Sequence, residues 1–248
     1  MAQRETPKSS LPWRRALRRA SLRLIVRVRR QPRRRPPKSG PTTLRVISWN
    51  LLRLTGATLE DVVRLVRAQQ PDLLLMQEAT AAIDTLAEEV GGHYWRTPLP
   101  GRIHGLAVWT PKPLPHPPLV LELPAGTLIR RVSLIVRLGD IGIANVHLSH
   151  GQMLNRRQLR ALAKALPPRA AVLGDYNQVG PALLPGFADV GPRVPTHNMG
   201  DVVPLRLDRC LVRGLDCLSA AVLPRRHSDH RPIMVTLETV RASRAEAA

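Results

Sequence analysis

The chain has 248 residues, 38 of them Lys or Arg and 18 Asp or Glu, for a formal net charge of +20. No apolar run approaches the roughly 18 residues that a spanning helix needs, so an integral helical membrane protein is excluded. The two cysteines, Cys210 and Cys217, have no Cys or His partners at zinc spacing, which excludes a disulfide framework and a zinc finger and leaves them as ordinary core or strand residues.

The charge is uneven. Residues 1–41 carry 14 Lys or Arg against the single Glu5, a net +13, whereas residues 42–248 carry 24 against 17, a net +7. Such a segment cannot bury enough apolar surface to offset its ordering entropy, so residues 1–41 are expected to be a basic arm, 42–240 one catalytic domain and 241–248 a short tail. Within the arm, Trp13, Ala16, Leu17, Ala20, Leu24 and Val28 recur at helical spacing with arginines largely opposite. That pattern suits adsorption to nucleic acid or anionic lipid, or a solvated Arg-rich tail. Arg23, Arg27, Arg29 and Arg30 interrupt any apolar export core, so the expected location is cytoplasmic, with nucleoid or peripheral membrane association through the arm. Arginine outnumbers lysine 34 to 4, as a G- and C-rich genome alone would produce, so basic charge by itself is weak evidence for a polyanion partner. Gln31 to Pro41 reads as an extended linker.

The domain opens with a buried strand, Leu44 to Trp49. Thr58 and Asp61 form a capping-box start to a helix whose stripe is Leu59, Val62, Val63 and Val66, stopped by Pro71. Leu73 to Met76 is a short buried strand, and a second helix on Ile83, Leu86, Ala87 and Val90 ends at Gly91-Gly92. Strands are then expected over 103–110, 128–138, 141–148, 170–173, 205–212, 218–223 and 232–237, with one helix between Asn155 and Leu166 and a Pro-rich loop over 111–118. Many strands with few helices predict two stacked sheets flanked by helices, a layered α/β sandwich.

Polar residues recur where these apolar runs end: Asn50, Glu78, His147, Asp175 with Asn177, Asp208, and Asp229-His230. Singly each suits a turn or cap; six such events in order predict convergence at one rim of a sheet, where a ligand can be gripped. The ordered set Ser48-Trp49-Asn50, Pro71 to Glu78, Gly105 to Val108, Asn145-Val146-His147-Leu148, Gly174-Asp175-Tyr176-Asn177, Leu207-Asp208-Arg209 and Ser228 to Pro232 resembles the endonuclease/exonuclease/phosphatase superfamily, the DNase I-like phosphoesterases. The resemblance spans residues 44–238 and implies a four-layer α/β sandwich of two stacked, mostly antiparallel sheets that cleaves phosphate esters with a metal.

By that resemblance, Asn50 and Glu78 hold Mg2+, or Mn2+ as a substitute, with Asp229 near the metal and the attacking water. A hard divalent ion suits oxygen donors and cancels charge on a phosphodiester. His230 is expected to be a neutral imidazole that takes a proton, its tautomer fixed by Asp208. Asp175 and Asn177, two apart in an extended segment, would both face the phosphate, with Asp175 orienting the nucleophile or managing a proton and Asn177 binding a phosphate oxygen. Tyr176, in place of the more usual Phe, should point into the core. His147 sits in an Asn-Val-His-Leu element similar to that of the branch containing DNase I-like nucleases, sphingomyelinases, inositol polyphosphate 5-phosphatases and deadenylases, where this histidine stabilises the transition state or assists the leaving group. No tyrosine is placed as in abasic-site repair enzymes.

Of the other histidines, His150 and His197 could reach the rim, while His93, His104, His116 and His227 are expected to be solvated loop residues. Arg130, Arg131, Arg156 and Arg157 suit either phosphate binding or solvent. The expected partner is a phosphate-ester substrate, DNA or RNA first, and the expected state is a monomer. Two alternatives stand beside this: a phospholipid or small-molecule phosphoesterase at an anionic membrane, and a non-catalytic polyanion-binding module. With seven aromatic residues in the chain, a grip on DNA would run mainly through Arg to phosphate.

Overall fold

Strand alternation sorts the apolar residues onto two faces of each sheet, and that division generates the layers. The computed structural model describes residues 43–126, 130–200 and 202–239; the arm and linker expected over 1–41 and the tail over 241–248 lie outside these. In the first sheet, β1 (Thr43–Asn50), β2 (Leu73–Ala79), β3 (His93–Pro98), β4 (Gly105–Thr110), β13 (Cys217–Val222) and β14 (Ile233–Glu238) run in the order β13-β14-β1-β2-β4-β3. The second holds β5 (Leu119–Glu122), β6 (Val132–Leu138), β7 (Ile141–His147), β8 (Arg169–Asp175), β9 (Ala188–Asp189) and β12 (Asp208–Arg213) in the order β5-β6-β7-β8-β12-β9. A separate hairpin pairs β10 (His197–Met199) with β11 (Val203–Leu205).

Each sheet contains one parallel pair, β1 with β2 and β7 with β8, and is otherwise antiparallel. A parallel pair needs a crossover. Helix α1 (Leu59–Gln69) supplies the first and α3 (Gln152–Ala165) the second, with the short α2 (Leu86–Val90) following β2. The inward residues Leu44, Val46, Leu73, Leu75, Ile143, Ala171 and Leu173 form the core between the sheets. The alternate residues Ile47, Trp49, Leu74 and Met76 pack outward with Val62, Val63 and Val66 of α1. Ala144, Val146 and Val172 do the same with Leu159 and Leu162 of α3. The result is the layered α/β sandwich that the strand pattern predicts, with the four layers that the resemblance implies. Among the described residues, no helix is long and apolar enough to cross a membrane.

The capping box at α1 is present in both directions: Asp61 N–H donates to Thr58 Oγ1, and Thr58 N–H donates to the Asp61 carboxylate. Four expected elements differ. The strand expected over 128–138 begins at Val132, and 127–129 lie outside the described residues. The helix expected across Ile83 to Val90 is a 3-10 turn, Ala81–Ile83, followed by α2, because Arg96 of β3 holds the intervening Asp84 at 2.6 and 2.7 Å. The strand expected over 205–212 breaks, because the amides of Leu207 and Asp208 both donate to Thr196 Oγ1. The strand expected from Ile103 begins at Gly105, since 99–104 form a turn closed by Leu99 N–H on the His104 carbonyl. Cys210 is buried and Cys217 half-buried, both free thiols in strands.

Between the sheets lies one polar seam. Asn145 of β7 donates across the interface to the carbonyls of Met76 and Ala107, and Gln77 of β2 donates to Asn145 Oδ1 and Ser48 Oγ. Buried polar groups are favourable when satisfied; apart from Gln77 Oε1 the side-chain amide groups of Gln77 and Asn145 are paired, and their bonds tie the two sheets together beneath the rim.

Candidate active site at the joint rim of the two sheets

The pairing registers bring eight strand ends to one edge. Across the first sheet the rim reads His230 just before β14, Asn50 ending β1, Glu78 near the end of β2 and His104 just before β4. Across the second it reads Asp208 opening β12, Asp175 ending β8, His147 ending β7 and Arg131 just before β6. Between them is a cleft of about 380 Å³ lined by Asn50, Glu78, His147, Asp175, Asn177, Asp229 and His230, together with Arg53, Arg102, His104, Arg131 and His150. Of the eight residues expected to form a site, seven line the cleft, and Asp208 stands behind His230. A larger groove of about 860 Å³ between residues 179–187 and Arg206 contains none of the eight.

Asp175 is the hub. Its Oδ2 accepts from Asn50 Nδ2 at 3.0 Å and lies 3.5 Å from His147 Nε2 and 3.7 Å from His230 Nε2, while its Oδ1 accepts from the Asn177 amide at 2.8 Å. Behind it, His230 Nδ1 meets Asp208 Oδ2 at 2.8 Å in a fully buried contact. Ser228 fastens this arrangement, its hydroxyl donating to the Asn50 carbonyl and accepting from the His230 amide. Trp49 donates to the His230 carbonyl. Tyr176 points into the core, as expected, and donates to the Val172 carbonyl.

Two backbone features aim the side chains. Glu78 has φ 55° at a register shift between β2 and β4, which turns its carboxylate out of the strand alternation and into the cleft. Asn177 has φ 48°, so the chain is not extended there; Asn177 reaches the site through a left-handed turn, with Nδ2 donating to the Leu148 carbonyl at 2.9 Å. Leu52 and Arg53 also have positive φ. Left-handed non-glycine residues cost on the order of 1 kcal/mol each and concentrate at functional sites, as these four do. Gly174 is required by space: a Cβ there would lie 1.9 Å from the Val146 carbonyl oxygen.

The electrostatics divide the two central histidines. Burial, reinforced by Arg131 and the neighbouring histidines, holds His147 well below the usual imidazole range, so it is neutral. Burial also acts against the His230 cation, but the Asp208 and Asp175 carboxylates outweigh it and raise that imidazole to about 10. The three carboxylates around His230 favour its protonated form, whereas its residue type alone predicts a neutral imidazole. Burial raises Asp175, against the pull of His230, and it also raises Glu78, where Asp175 adds repulsion and Arg53 opposes it.

A hard divalent ion fits this donor set. Among the described residues the Glu78 carboxylate accepts no hydrogen bond, its nearest cation being Arg53 Nε at 3.9 Å. Asp229 Oδ1 is buried without a hydrogen-bond partner, and Glu78 and Asp175 repel one another across the cleft. Unpaired carboxylate oxygens crowded together are what a divalent cation relieves.

The remaining histidines and arginines divide between the cleft and the surface, with His150 and His197 reaching the rim as expected and His104 departing from expectation. His197 contacts the site, its Nε2 3.2 Å from Asp229 Oδ2 and its ring 4.4 Å from that of His230. His104 is not solvated; it is buried in the cleft wall, where burial and then Arg53, Arg131 and Arg102 lower it. His227 is exposed but bonds Asp61, and His93 opens β3. Arg130 is exposed, whereas Arg131 is buried. Thr196 and Arg102 carried no signal in the sequence; Ser228 carried one only as part of its motif.

The sequence profile described as Endonuclease/Exonuclease/phosphatase family matches residues 47–230. Among solved structures the fold is similar to an endonuclease/exonuclease/phosphatase from Beutenbergia cavernae, at 20% identity over 80% of this chain and 72% of that one, with TM-score 0.64. It is similar to one from Bacteroides vulgatus, at 15% identity over 80% and 100%, TM-score 0.69. It also resembles D. rerio TDP2 complexed with single strand DNA product, at 17% identity over 79% and 99%, TM-score 0.63. No curated protein matches the chain. With the profile extending from β1 to the histidine before β14, the chain belongs to the endonuclease/exonuclease/phosphatase family.

Proposed function

We propose that the protein is a Mg2+-dependent phosphodiesterase acting on nucleic acid, with Mn2+ able to replace Mg2+. The observation that carries this is the buried Asp208–His230 pair facing Asp175 at 3.7 Å in the same cleft as the unpaired Glu78 carboxylate. The similar TDP2 structure with its DNA product supports the choice of nucleic acid.

Glu78, Asn50 through Oδ1 and Asp229 would hold the ion, which when bound cancels charge on the nonbridging and leaving oxygens of the phosphate. An ion held there would disfavour the His230 cation, against the pull of Asp208 and Asp175. Asp208 keeps a proton on Nδ1, so Nε2 is the atom that takes one from the attacking water. Asp175 orients that water between His230 and His147. Neutral His147 acts as hydrogen-bond donor to a phosphate oxygen. Asn177 spends one amide hydrogen on the Leu148 carbonyl, which fixes the side chain and leaves the second for a nonbridging oxygen.

The test is a panel of DNA, RNA, sphingomyelin, inositol phosphates and an aryl phosphodiester, assayed with Mg2+ and with EDTA. Mg2+-dependent cleavage of DNA or RNA is expected, about a thousandfold slower in His230→Ala and about ten- to a hundredfold slower in Asp208→Asn. Equal trace activity in wild type and His230→Ala on every substrate would overturn the catalytic reading. Activity untouched by EDTA would overturn the role of Glu78.

A further inference from the structure

The cleft has two ends of different chemistry. Reading along the rim, Asp208 and His230 stand at one end, Glu78, Asp175 and His147 in the middle, and Arg131 and His104 one strand further on, joined by Arg102 from the β3–β4 turn. Arg131 is the anomaly. It is 5% exposed, its Nε is buried without a hydrogen-bond partner, and among the described residues no carboxylate comes within ion-pair distance of its guanidinium. A buried, unpaired guanidinium is unfavourable unless an anion completes it. Burial lowers Arg131, partly offset by Asp175 and Glu78, and Arg102 opposes the charge further.

Charge within the cleft points the same way. The lining carries three arginines, Arg53, Arg102 and Arg131, and Arg102 and Arg131 stand at the end of the rim away from Asp208 and His230. A nucleic-acid strand offers a phosphate next to the scissile one, and neighbouring strands stand about 4.8 Å apart, so Arg131 lies within reach of it.

Resting on the phosphodiesterase reading, we propose that Arg131, with Arg102 and His104, forms a subsite for a second phosphate, so that the preferred substrates carry a phosphate next to the scissile one. Arg is suited to this because its planar fork can bind a phosphate through two parallel hydrogen bonds. The subsite makes this cleft selective for polyphosphorylated strands over isolated diesters.

The experiment compares kcat/KM for a dinucleoside monophosphate, the same molecule phosphorylated at either end, and bis(p-nitrophenyl) phosphate. The end-phosphorylated form that reaches the subsite is expected to be about tenfold better than the unphosphorylated dinucleotide. That ratio should fall to near one in Arg102→Ala and Arg131→Gln. Arg102 is exposed, so its variant remains informative if Arg131→Gln folds poorly. No preference in wild type, or a preference unchanged in Arg102→Ala and in a folded Arg131→Gln, overturns the subsite. Absence of turnover on every substrate is the failure of the phosphodiesterase reading instead. The subsite is then decided by calorimetry with inorganic pyrophosphate and inorganic phosphate: tighter pyrophosphate binding that disappears in Arg102→Ala supports it, and equal binding of the two refutes it.

Discussion

His147 and His230 lie on either side of one carboxylate, yet their surroundings push them in opposite directions. Burial, and then Arg131, lowers His147 and favours its neutral form; Asp208 and Asp175 overcome burial at His230 and raise its imidazole to about 10. Groups shifted apart in this way can divide donor and acceptor roles at one pH. The same shift has a consequence for stability. A histidine raised on folding stabilises the native state fully below its unfolded value of about 6.5, and that contribution is lost as pH rises towards about 10. In EDTA, urea denaturation stepped across that window should show wild type losing stability more steeply than His230→Gln. Parallel curves would mean that the carboxylates do not hold the proton.

At the scale of elements, the site depends on strand ends meeting without side-chain interference. β7 and β8 run parallel and adjacent, with Val146 opposite Gly174 and His147 opposite Asp175. The absence of a side chain at Gly174 lets the strands approach closely enough for His147 and Asp175 to sit 3.5 Å apart. Gly174→Ala would drive a methyl into the Val146 carbonyl, and Gly174 has φ 147° as well. The expected outcome is a destabilisation of about 3 kcal/mol or more in chemical denaturation; a variant with wild-type stability would mean that the strands part without penalty. The seam of Asn145, Gln77 and Ser48 serves the same end, because any slip between the sheets would separate Glu78 from His147.

For the whole molecule, the charge separates into two parts with different duties. The domain's arginines are placed by the fold, and one of them is buried in the cleft. The arm over residues 1–41 carries net +13, and its proposed role is to hold the enzyme on nucleic acid rather than to take part in cleavage. Removal of residues 1–41 should leave turnover of a short diester near wild type while making DNA binding less sensitive to salt. The slope of log affinity against log salt should shrink by about 0.7 to 0.9 for each phosphate that the arm neutralises. Identical salt slopes for the two proteins would show that the arm neutralises no phosphate. A truncation that abolishes binding to anionic vesicles alone would assign the arm to lipid.

Much of this was written locally. The switch of Leu44 and Val46 to one face and Ile47 and Trp49 to the other, the Thr58–Asp61 cap and the apolar stripe of α1 follow from periods of two and 3.6, and they determine the layers. The eight polar residues were legible because each follows, interrupts or precedes an apolar run in an order that resembles one family. Local pattern does not record which distant ends meet: Asn50 and Asp175 bond across 125 positions, and Trp49 reaches His230 across 181. Nor does it distinguish Arg131 from Arg130, adjacent and chemically identical, one buried in the cleft and one in solvent. His104 was obscure for the same reason, since it lies in an irregular turn without periodicity. The sequence by itself determined the strands, their faces and the chemistry available at their ends. Tertiary structure alone decided which ends share a rim, which histidine keeps a proton and which arginine lacks a carboxylate partner, because proximity and desolvation depend on segments far apart in the chain coming together.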